Sequence, residues 1–152
     1  MNSLNPNNFN QEKYQNLLHI CAENKIGLVY FFGSQLDNAL KLLAGENITL
    51  EDPLTDIDLG VVFLDEIESL PLRHRLYTRI YNSLEDLFTP YRLDLVFLQE
   101  NHSVFQIEAL KGICIFSNSE QFREDYEMSI LRRAADFRYV LNKYTEEVLE
   151  RY

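Results

Sequence analysis

The sequence predicts an α/β protein, more narrowly an α+β fold in which helices pack against a short mixed β-sheet of about four strands. Four runs of apolar residues, bounded by Gly, Pro, Asn or Asp, have the length and composition of buried strands. The segments between them repeat their apolar residues every three or four positions, which is typical of amphipathic helices. The last of these segments is long enough for an extended C-terminal helix. The four strand-like runs are Leu28–Phe32, Asp56–Leu64, Arg92–Leu98 and Ile113–Phe116.

In the first half of the chain, helical spacing extends from Asn10 to Glu23, and Gly27 is expected to end this segment before the first strand. Ser34 follows that strand and is expected to cap a second helix, whose apolar residues lie on one side. Residues 44–55 contain Gly, Asn, Asp and Pro, and they predict a loop that leads into the second strand.

The second half repeats this alternation. A third helix is predicted from Pro71 to Phe88, with the proline well placed at its start. A short helix around Val104–Leu110 is closed by Gly112, a typical C-terminal cap. Ser117 and Glu120 have the spacing of a capping box, and they predict the start of a long helix that continues towards the C-terminal end of the chain.

We expect one domain over residues 1–152, with the Asn-rich residues 1–8 disordered. No apolar run is long enough to span a bilayer and no secretory signal is recognisable, so we expect a cytoplasmic protein without membrane contact. The net charge of −10 argues against direct nucleic-acid binding, because binding phosphates relies on a basic surface. Cys21 and Cys114 lie in apolar settings and are expected to be packed thiols without a disulfide.

Three aspartates stand at positions where strands otherwise carry apolar residues. Asp56 and Asp58 are one residue apart at the start of the second strand, so their side chains project to the same face. Asp94 lies inside the third strand and alternates with Leu93 and Leu95. Carboxylates in such strands are costly unless a cation compensates them. If the three converge on one sheet face, they form a site for hard divalent cations, of which Mg2+ is the obvious candidate.

Gly33 and Ser34 follow the first strand and open a helix, where backbone N–H groups and the helix dipole can bind phosphate. Each feature also has a simpler explanation: a plain strand–turn–helix cap, a capped strand start for the Asp-x-Asp pair, and a solvent-facing edge position for Asp94. An EF-hand is excluded, because its twelfth position would be Ile67 instead of Glu. The combination of the three features is what favours a site.

Nucleotidyl transfer is the chemistry that these groups suit. Two divalent ions about 3.5–4 Å apart hold the attacking and leaving oxygens in line and neutralise the phosphate charge. Asp56 and Asp58 would bridge both ions, and Asp94 would complete the ion on the nucleophile side and accept a proton as general base. Gly33 and Ser34 would hold the phosphates.

These residues resemble the minimal nucleotidyltransferases of the DNA polymerase beta-like superfamily, and more narrowly the MNT proteins of prokaryotic HEPN/MNT toxin–antitoxin pairs. The resemblance implies the polymerase beta-like fold, Mg-ATP as donor with two Mg2+ ions, and a HEPN-family ribonuclease as the partner in a hetero-oligomer. The toxin would be silenced by transfer of AMP to a tyrosine, by direct binding, or by both. The motifs that carry the resemblance are Phe32-Gly33-Ser34, Thr55-Asp56-Ile57-Asp58-Leu59, Leu93-Asp94-Leu95-Val96 and the segment from Phe105 to Phe116. The implied catalytic residues and metal ligands are Asp56, Asp58 and Asp94, and the implied nucleotide-binding residues are Gly33, Ser34 and Gln35.

Two features depart from the family pattern. Family members often carry Arg directly after Gly-Ser, whereas Gln35 stands here and Asp37 follows. The gap between Ser34 and Asp56 is about twice the usual, so residues 44–55 look like an insertion. Because the three acidic positions are present, we expect an active protein adenylyltransferase. The alternatives are an antitoxin that acts by binding alone through its C-terminal helix, and a nucleotidyltransferase for a small hydroxylated compound such as an aminoglycoside.

Overall fold

The structure, a computed structural model, describes residues 8–67 and 71–151. The predicted disorder of residues 1–8 concerns a segment of which residues 1–7 lie outside the described part of the chain. The elements follow each other as α1 (Gln11–Glu23), β1 (Ile26–Phe32), α2 (Leu36–Leu43), β2 (Ile57–Phe63), α3 (Leu72–Glu85), β3 (Leu93–Phe97), α4 (Ser103–Leu110), β4 (Ile113–Ser117) and α5 (Glu120–Glu150).

The four strands form one mixed sheet in the order β3-β2-β1-β4. Strand β1 pairs antiparallel with β2 and with β4, whereas β2 pairs parallel with β3. The predicted mixed sheet of about four strands is therefore confirmed. Because β1 ends beside the start of β2, and β3 starts beside β2, one end of the sheet contains Phe32, Ile57 and Leu93. We refer to it below as the Phe32 end of the sheet.

Helices cover both faces of this sheet. Side chains of α1, α2 and α3 pack over one face, where Phe31 is fully buried. The other face carries Tyr30 and Phe32 and is covered by α4 and the first turns of α5. Since β1 lies in the centre and is covered on both sides, it is apolar and buried along its whole length. Cys21 and Cys114 are both free thiols, as expected.

Three local predictions were wrong. Gly27 lies inside β1, where a side chain would overlap an aromatic ring from α5, and it does not end the preceding helix. Ser34 does not cap α2, because the N-cap is Gln35 and its side chain makes no capping hydrogen bond. The cap of α5 is Ser119, whose side chain accepts a backbone N–H at 3.1 Å. Ser117 is instead the last residue of β4, because its pairing with β1 continues to this point.

Helix α5 has 31 residues, which corresponds to a length of about 46 Å. Its side chains Ile130 and Ala134 are buried, but the same face continues with Phe137, Leu141 and Tyr144, which are 40%, 48% and 65% exposed. We name these three residues the α5 stripe. Neither α5 nor any other helix in the described ranges is both long and apolar enough to cross a membrane.

Candidate active site

Two of the three predicted carboxylates meet at the Phe32 end of the sheet. Asp58 is in register with Asp94 across the β2–β3 pair and with Phe32 across the β1–β2 pair. Residues directly opposite each other in neighbouring strands project to the same face. Asp58 and Asp94 therefore lie side by side on the face that α4 and α5 cover farther along. The predicted alternation in β3 is confirmed, because Leu93 and Leu95 are buried while Asp94 is exposed.

The pKa of the Asp58 carboxyl group is raised by its burial and by both other aspartates. Its pKa is raised from 3.8 to about 6, first because the group is partly removed from water. A hydrogen bond to Asp94 and the negative charges of Asp94 and Asp56 raise this pKa further. Carboxylates that share a site either retain a proton or bind a cation, since their negative charges repel each other. Asp56 and Asp94 are therefore both close enough to Asp58 for their charges to affect it.

Asp56 lies at the rim of this site. It directly precedes β2, and its Oδ1 is 3.9 Å from Nε of Arg92. The two side chains are 42% and 74% exposed, and an ion pair of this length in water is weak. The ion pair of Arg92 is with Asp56, and among the described residues no cationic side chain forms an ion pair with Asp58 or Asp94. No local pattern indicates that Arg92 pairs with Asp56, because the way the start of β3 lies against β2 depends on strand pairing.

The donor set suits a hard divalent cation. Carboxylate oxygens are the ligands that Mg2+ prefers, and a cation would relieve the repulsion that raises the pKa of Asp58. Within residues 8–67 and 71–151, no three Asp, Glu, His or Cys side chains already stand close enough to enclose a metal ion. An ion bound by Asp58 and Asp94 would therefore have to draw Asp56 inward, away from Arg92, to complete the set.

The backbone of Gly33 lies next to the Asp58 carboxylate. Its φ is +78°, in the left-handed region that favours glycine. A Cβ at this position would overlap Oδ2 of Asp58. Ser34 follows with an exposed side chain. A phosphate bound to backbone N–H groups of this turn would consequently lie next to the aspartates.

The side chain of Gln35 is hydrogen-bonded to other parts of the protein. Its Nε2 donates to Oγ1 of Thr55 at 2.9 Å, and its Oε1 accepts from Nδ2 of Asn38 at 2.7 Å. The same Nδ2 also donates to the hydroxyl of Tyr91 at 3.1 Å. The sequence offers no signal for Asn38 or Tyr91, because hydrogen bonds between distant segments leave neither a periodicity nor a motif.

Asp58→Asn is expected to stabilise the metal-free protein. The pKa of Asp58 is about 6 in the folded protein and 3.8 in the unfolded chain. As the pH rises through this range, ionisation of Asp58 lowers the free energy of unfolding, and the full decrease persists at higher pH. Because the group is partly exposed, we expect a gain of about 1 kcal/mol at pH 7.5, or about 2–4 °C in Tm.

Thermal unfolding in EDTA at pH 7.5 and pH 4 tests this expectation. The gain should be present at pH 7.5 and shrink at pH 4, where Asp58 is protonated in the folded protein. Asp136→Asn, at an exposed position of α5, is the matched control and should leave Tm unchanged at both pH values. An equal gain for Asp58→Asn at both pH values would contradict the electrostatic explanation.

The family described as polymerase beta, nucleotidyltransferase has a sequence model that matches residues 15–121. This range begins in α1, ends in the first turn of α5, and contains all six predicted site residues. No curated protein matches the chain by sequence.

Several solved structures of toxin–antitoxin complexes are similar in fold. A mutant of the MntA–HpeT toxin–antitoxin pair shares 16% identity at a TM-score of 0.59, covering 90% of this chain and 98% of that chain. A toxin–antitoxin structure with AMP-PNP shares 17% identity at a TM-score of 0.58, covering 89% and 97%. A tri-AMPylated Shewanella oneidensis HEPN toxin in complex with MNT antitoxin gives 17% identity and a TM-score of 0.53, covering 92% and 96%.

At such low identities these likenesses establish the fold, and the predicted polymerase beta-like fold with a long C-terminal helix is confirmed. The individual roles of the six site residues stay predictions. The match to the family extends over well more than half of the chain and includes both strands that carry the aspartates. The chain therefore belongs to the polymerase beta nucleotidyltransferase family.

Proposed function

We propose that this protein is a cytoplasmic Mg2+-dependent adenylyltransferase that transfers AMP from ATP to a tyrosine of a cognate HEPN-family toxin and so acts as its antitoxin. The observation that carries the proposal is the Asp58–Asp94 pair beside the Gly33 turn, in a chain that belongs to a nucleotidyltransferase family. Further support comes from similar structures, which include a tri-AMPylated HEPN toxin with its MNT antitoxin and a complex with AMP-PNP.

Asp56, Asp58 and Asp94 would hold two Mg2+ ions. The bound ions would supply neutralisation of the triphosphate charge. In the transfer step, the tyrosine oxygen forms a bond to the α-phosphorus, and the bond from that phosphorus to the bridging oxygen of the β-phosphate breaks to release pyrophosphate. The proton of the hydroxyl passes to Asp94. Asp94 is more exposed than Asp58, so an incoming hydroxyl would reach it first.

The triphosphate would be held at the N-terminus of α2 by backbone N–H groups of Gly33, Ser34 and Gln35. The positive φ of Gly33 turns the chain sharply after β1. Because this turn touches Asp58, phosphates bound to it would share the cations held by the aspartates. The exposed hydroxyl of Ser34 can donate one further hydrogen bond to a phosphate oxygen.

Mass spectrometry of the partner tests the proposal. The protein is incubated with the product of its neighbouring gene, ATP and MgCl2, and the mass of that candidate partner is measured before and after. We expect an increase by one or more AMP groups on tyrosine, with release of pyrophosphate, and loss of both in EDTA. An unchanged mass, or undiminished transfer by an Asp56→Ala/Asp58→Ala double variant, would reject the proposal.

Neutralisation of the toxin by binding alone is the second candidate function, and the α5 stripe favours it. Three large apolar side chains on one helix face, each at least 40% exposed, form a surface that a protein partner could cover. If the toxin is still neutralised by a variant that lacks all three aspartates, binding is sufficient. If neutralisation depends strictly on the aspartates, this candidate is excluded.

Leu141→Glu is expected to weaken the complex with the toxin by at least about ten-fold, because it places a charge in the centre of the α5 stripe. Leu141 is 48% exposed, so the fold should be retained, which circular dichroism verifies. Asn142→Glu adds the same charge at an exposed neighbouring position outside the stripe and should bind as the wild type does. Calorimetric titration measures both, and wild-type affinity for Leu141→Glu would show that the toxin binds elsewhere.

A further inference from the structure

We propose that the side chain of Gln35 is a positioning residue that fixes the start of β2, and with it Asp56 and Asp58, against the Gly33 turn. The proposal rests on the proposed function, since it concerns the same site. A long cation at position 35 would be free to reach a triphosphate. The amide of Gln35 instead uses one N–H donor and its acceptor oxygen in hydrogen bonds within the protein itself.

The segment that needs fixing is the loop of residues 44–55, which contains no helix or strand and leads directly to Asp56. Local hydrogen bonds shape its last residues. The backbone N–H of Leu54 donates to Oδ1 of Asp52 at 3.0 Å, and the hydroxyl of Thr55 donates to the backbone oxygen of Asp52 at 3.1 Å. These bonds hold the loop end together as a small unit. They do not attach that unit to the rest of the site.

Gln35 supplies this attachment through its hydrogen bond to Oγ1 of Thr55 at 2.9 Å. The Thr55 hydroxyl then has a defined direction, because its proton points to the Asp52 carbonyl and its lone pair accepts from Gln35. Thr55 is the residue directly before Asp56. A displacement of Thr55 is therefore passed on to the carboxylates that would bind the ions.

Gln35 is itself held in place by Asn38, which lies one turn farther along α2. Nδ2 of Asn38 donates to Oε1 of Gln35 at 2.7 Å and to the hydroxyl of Tyr91 at 3.1 Å. Tyr91 is 4% exposed and lies two residues before β3. One chain of hydrogen bonds thus joins the start of α2, the loop end before Asp56 and the segment that leads to Asp94.

An amide suits this place better than the arginine that often follows Gly-Ser in the family. The bridge requires one donor towards Thr55 and one acceptor towards Asn38, and an arginine side chain has donors only. A chain with a long loop before its Asp-x-Asp pair gains from a side chain that fixes the loop end.

Gln35→Ala and Thr55→Val remove the same hydrogen bond from its two sides. Each should weaken Mn2+ binding, followed by electron paramagnetic resonance of the free ion, by about ten-fold and lower kcat by about ten-fold. The KM for ATP should stay within about two-fold, because no phosphate contact is lost. The effect of the double variant should be smaller than the sum of the two single effects, since the Gln35–Thr55 bond is lost in both.

Two further variants serve as controls. Thr55→Ser keeps the hydroxyl and should bind Mn2+ and turn over as the wild type does. Gln121→Ala removes a comparable side-chain hydrogen bond, from Nε2 of Gln121 to Asp125 at 2.8 Å on the exposed side of α5, and should change neither quantity. A role in overall folding alone would lower Tm in Gln35→Ala without changing Mn2+ affinity or kcat, and that result would overturn the proposal.

A KM for ATP raised ten-fold or more in Gln35→Ala, with unchanged Mn2+ affinity, would identify a phosphate contact and also overturn the proposal. Additive effects of Gln35→Ala and Thr55→Val would do the same. If the wild type binds Mn2+ but transfers no AMP, the proposed function fails, and the Mn2+ affinities alone decide the role of Gln35. If the wild type binds no Mn2+ either, both proposals fall.

Discussion

Asp58→Asn should reduce AMP transfer by at least about a thousand-fold while the protein stays folded. Asparagine has nearly the size of aspartate but no charge, so the carboxylate that faces both Asp94 and the Gly33 turn is lost. Asp58 would help to hold the ions, and without its charge the protein would neutralise the triphosphate less well. The loss should therefore appear mainly in kcat.

Initial rates of pyrophosphate release at saturating ATP and Mg2+ measure this effect. The thermal unfolding measurement described above shows whether Asp58→Asn is folded, so that a loss of activity can be separated from unfolding. Asp136→Asn removes a carboxylate from the exposed part of α5 and should retain wild-type rates. A decrease of less than about ten-fold in Asp58→Asn would show that Asp58 is not an active-site residue.

Gly33→Ala should lower transfer by at least about a hundred-fold and the free energy of unfolding by about 1–3 kcal/mol. An alanine at this position has to adopt a φ of +78°. Its Cβ also overlaps Oδ2 of Asp58. Since Oδ2 is at the end of a side chain, the carboxylate can turn aside and relieve the overlap. In doing so it leaves Asp94, so the damage to activity should exceed the damage to stability.

Gly45→Ala is the matched control for this substitution. Gly45 also has a positive φ, +90°, and a Cβ there would come within 3.0 Å of the Asn10 side chain, away from the carboxylates. It should therefore cost a similar free energy of unfolding, measured by urea denaturation, and leave transfer unchanged. If Gly33→Ala loses stability but keeps its activity within ten-fold, the turn does not belong to the nucleotide site.

Much of this fold could be predicted from local patterns. The four strands and the five helices follow from runs and spacings of apolar residues, which depend on neighbours a few positions away. The side of β3 that carries Asp94 follows from simple alternation with Leu93 and Leu95. The polymerase beta-like fold and the family followed from motifs short enough to recognise in one sequence.

Other features depend on contacts that no local pattern specifies. Two serines near the start of α5 could cap this helix. Ser119 is the cap, because Ser117 is paired with β1 as part of β4. Gly27 resembles a helix stop in the sequence, yet it is needed inside β1 to admit a ring from α5. The register that places Asp58 beside Asp94 is set by the pairing of strands more than 30 residues apart, which single-sequence patterns do not determine.

The course of α5 has a consequence for how a toxin would be presented to the site. The ring of Phe137, the first residue of the α5 stripe, packs edge-on against His102 with centroids 4.5 Å apart. His102 follows the far end of β3, whereas Asp94 lies near its beginning, about a strand length or roughly 15 Å away. A toxin anchored on the α5 stripe would therefore have to extend from the region of His102 to Asp94 to reach the site. The tyrosine that accepts AMP should accordingly lie on a part of the toxin that extends beyond the surface that the α5 stripe would contact.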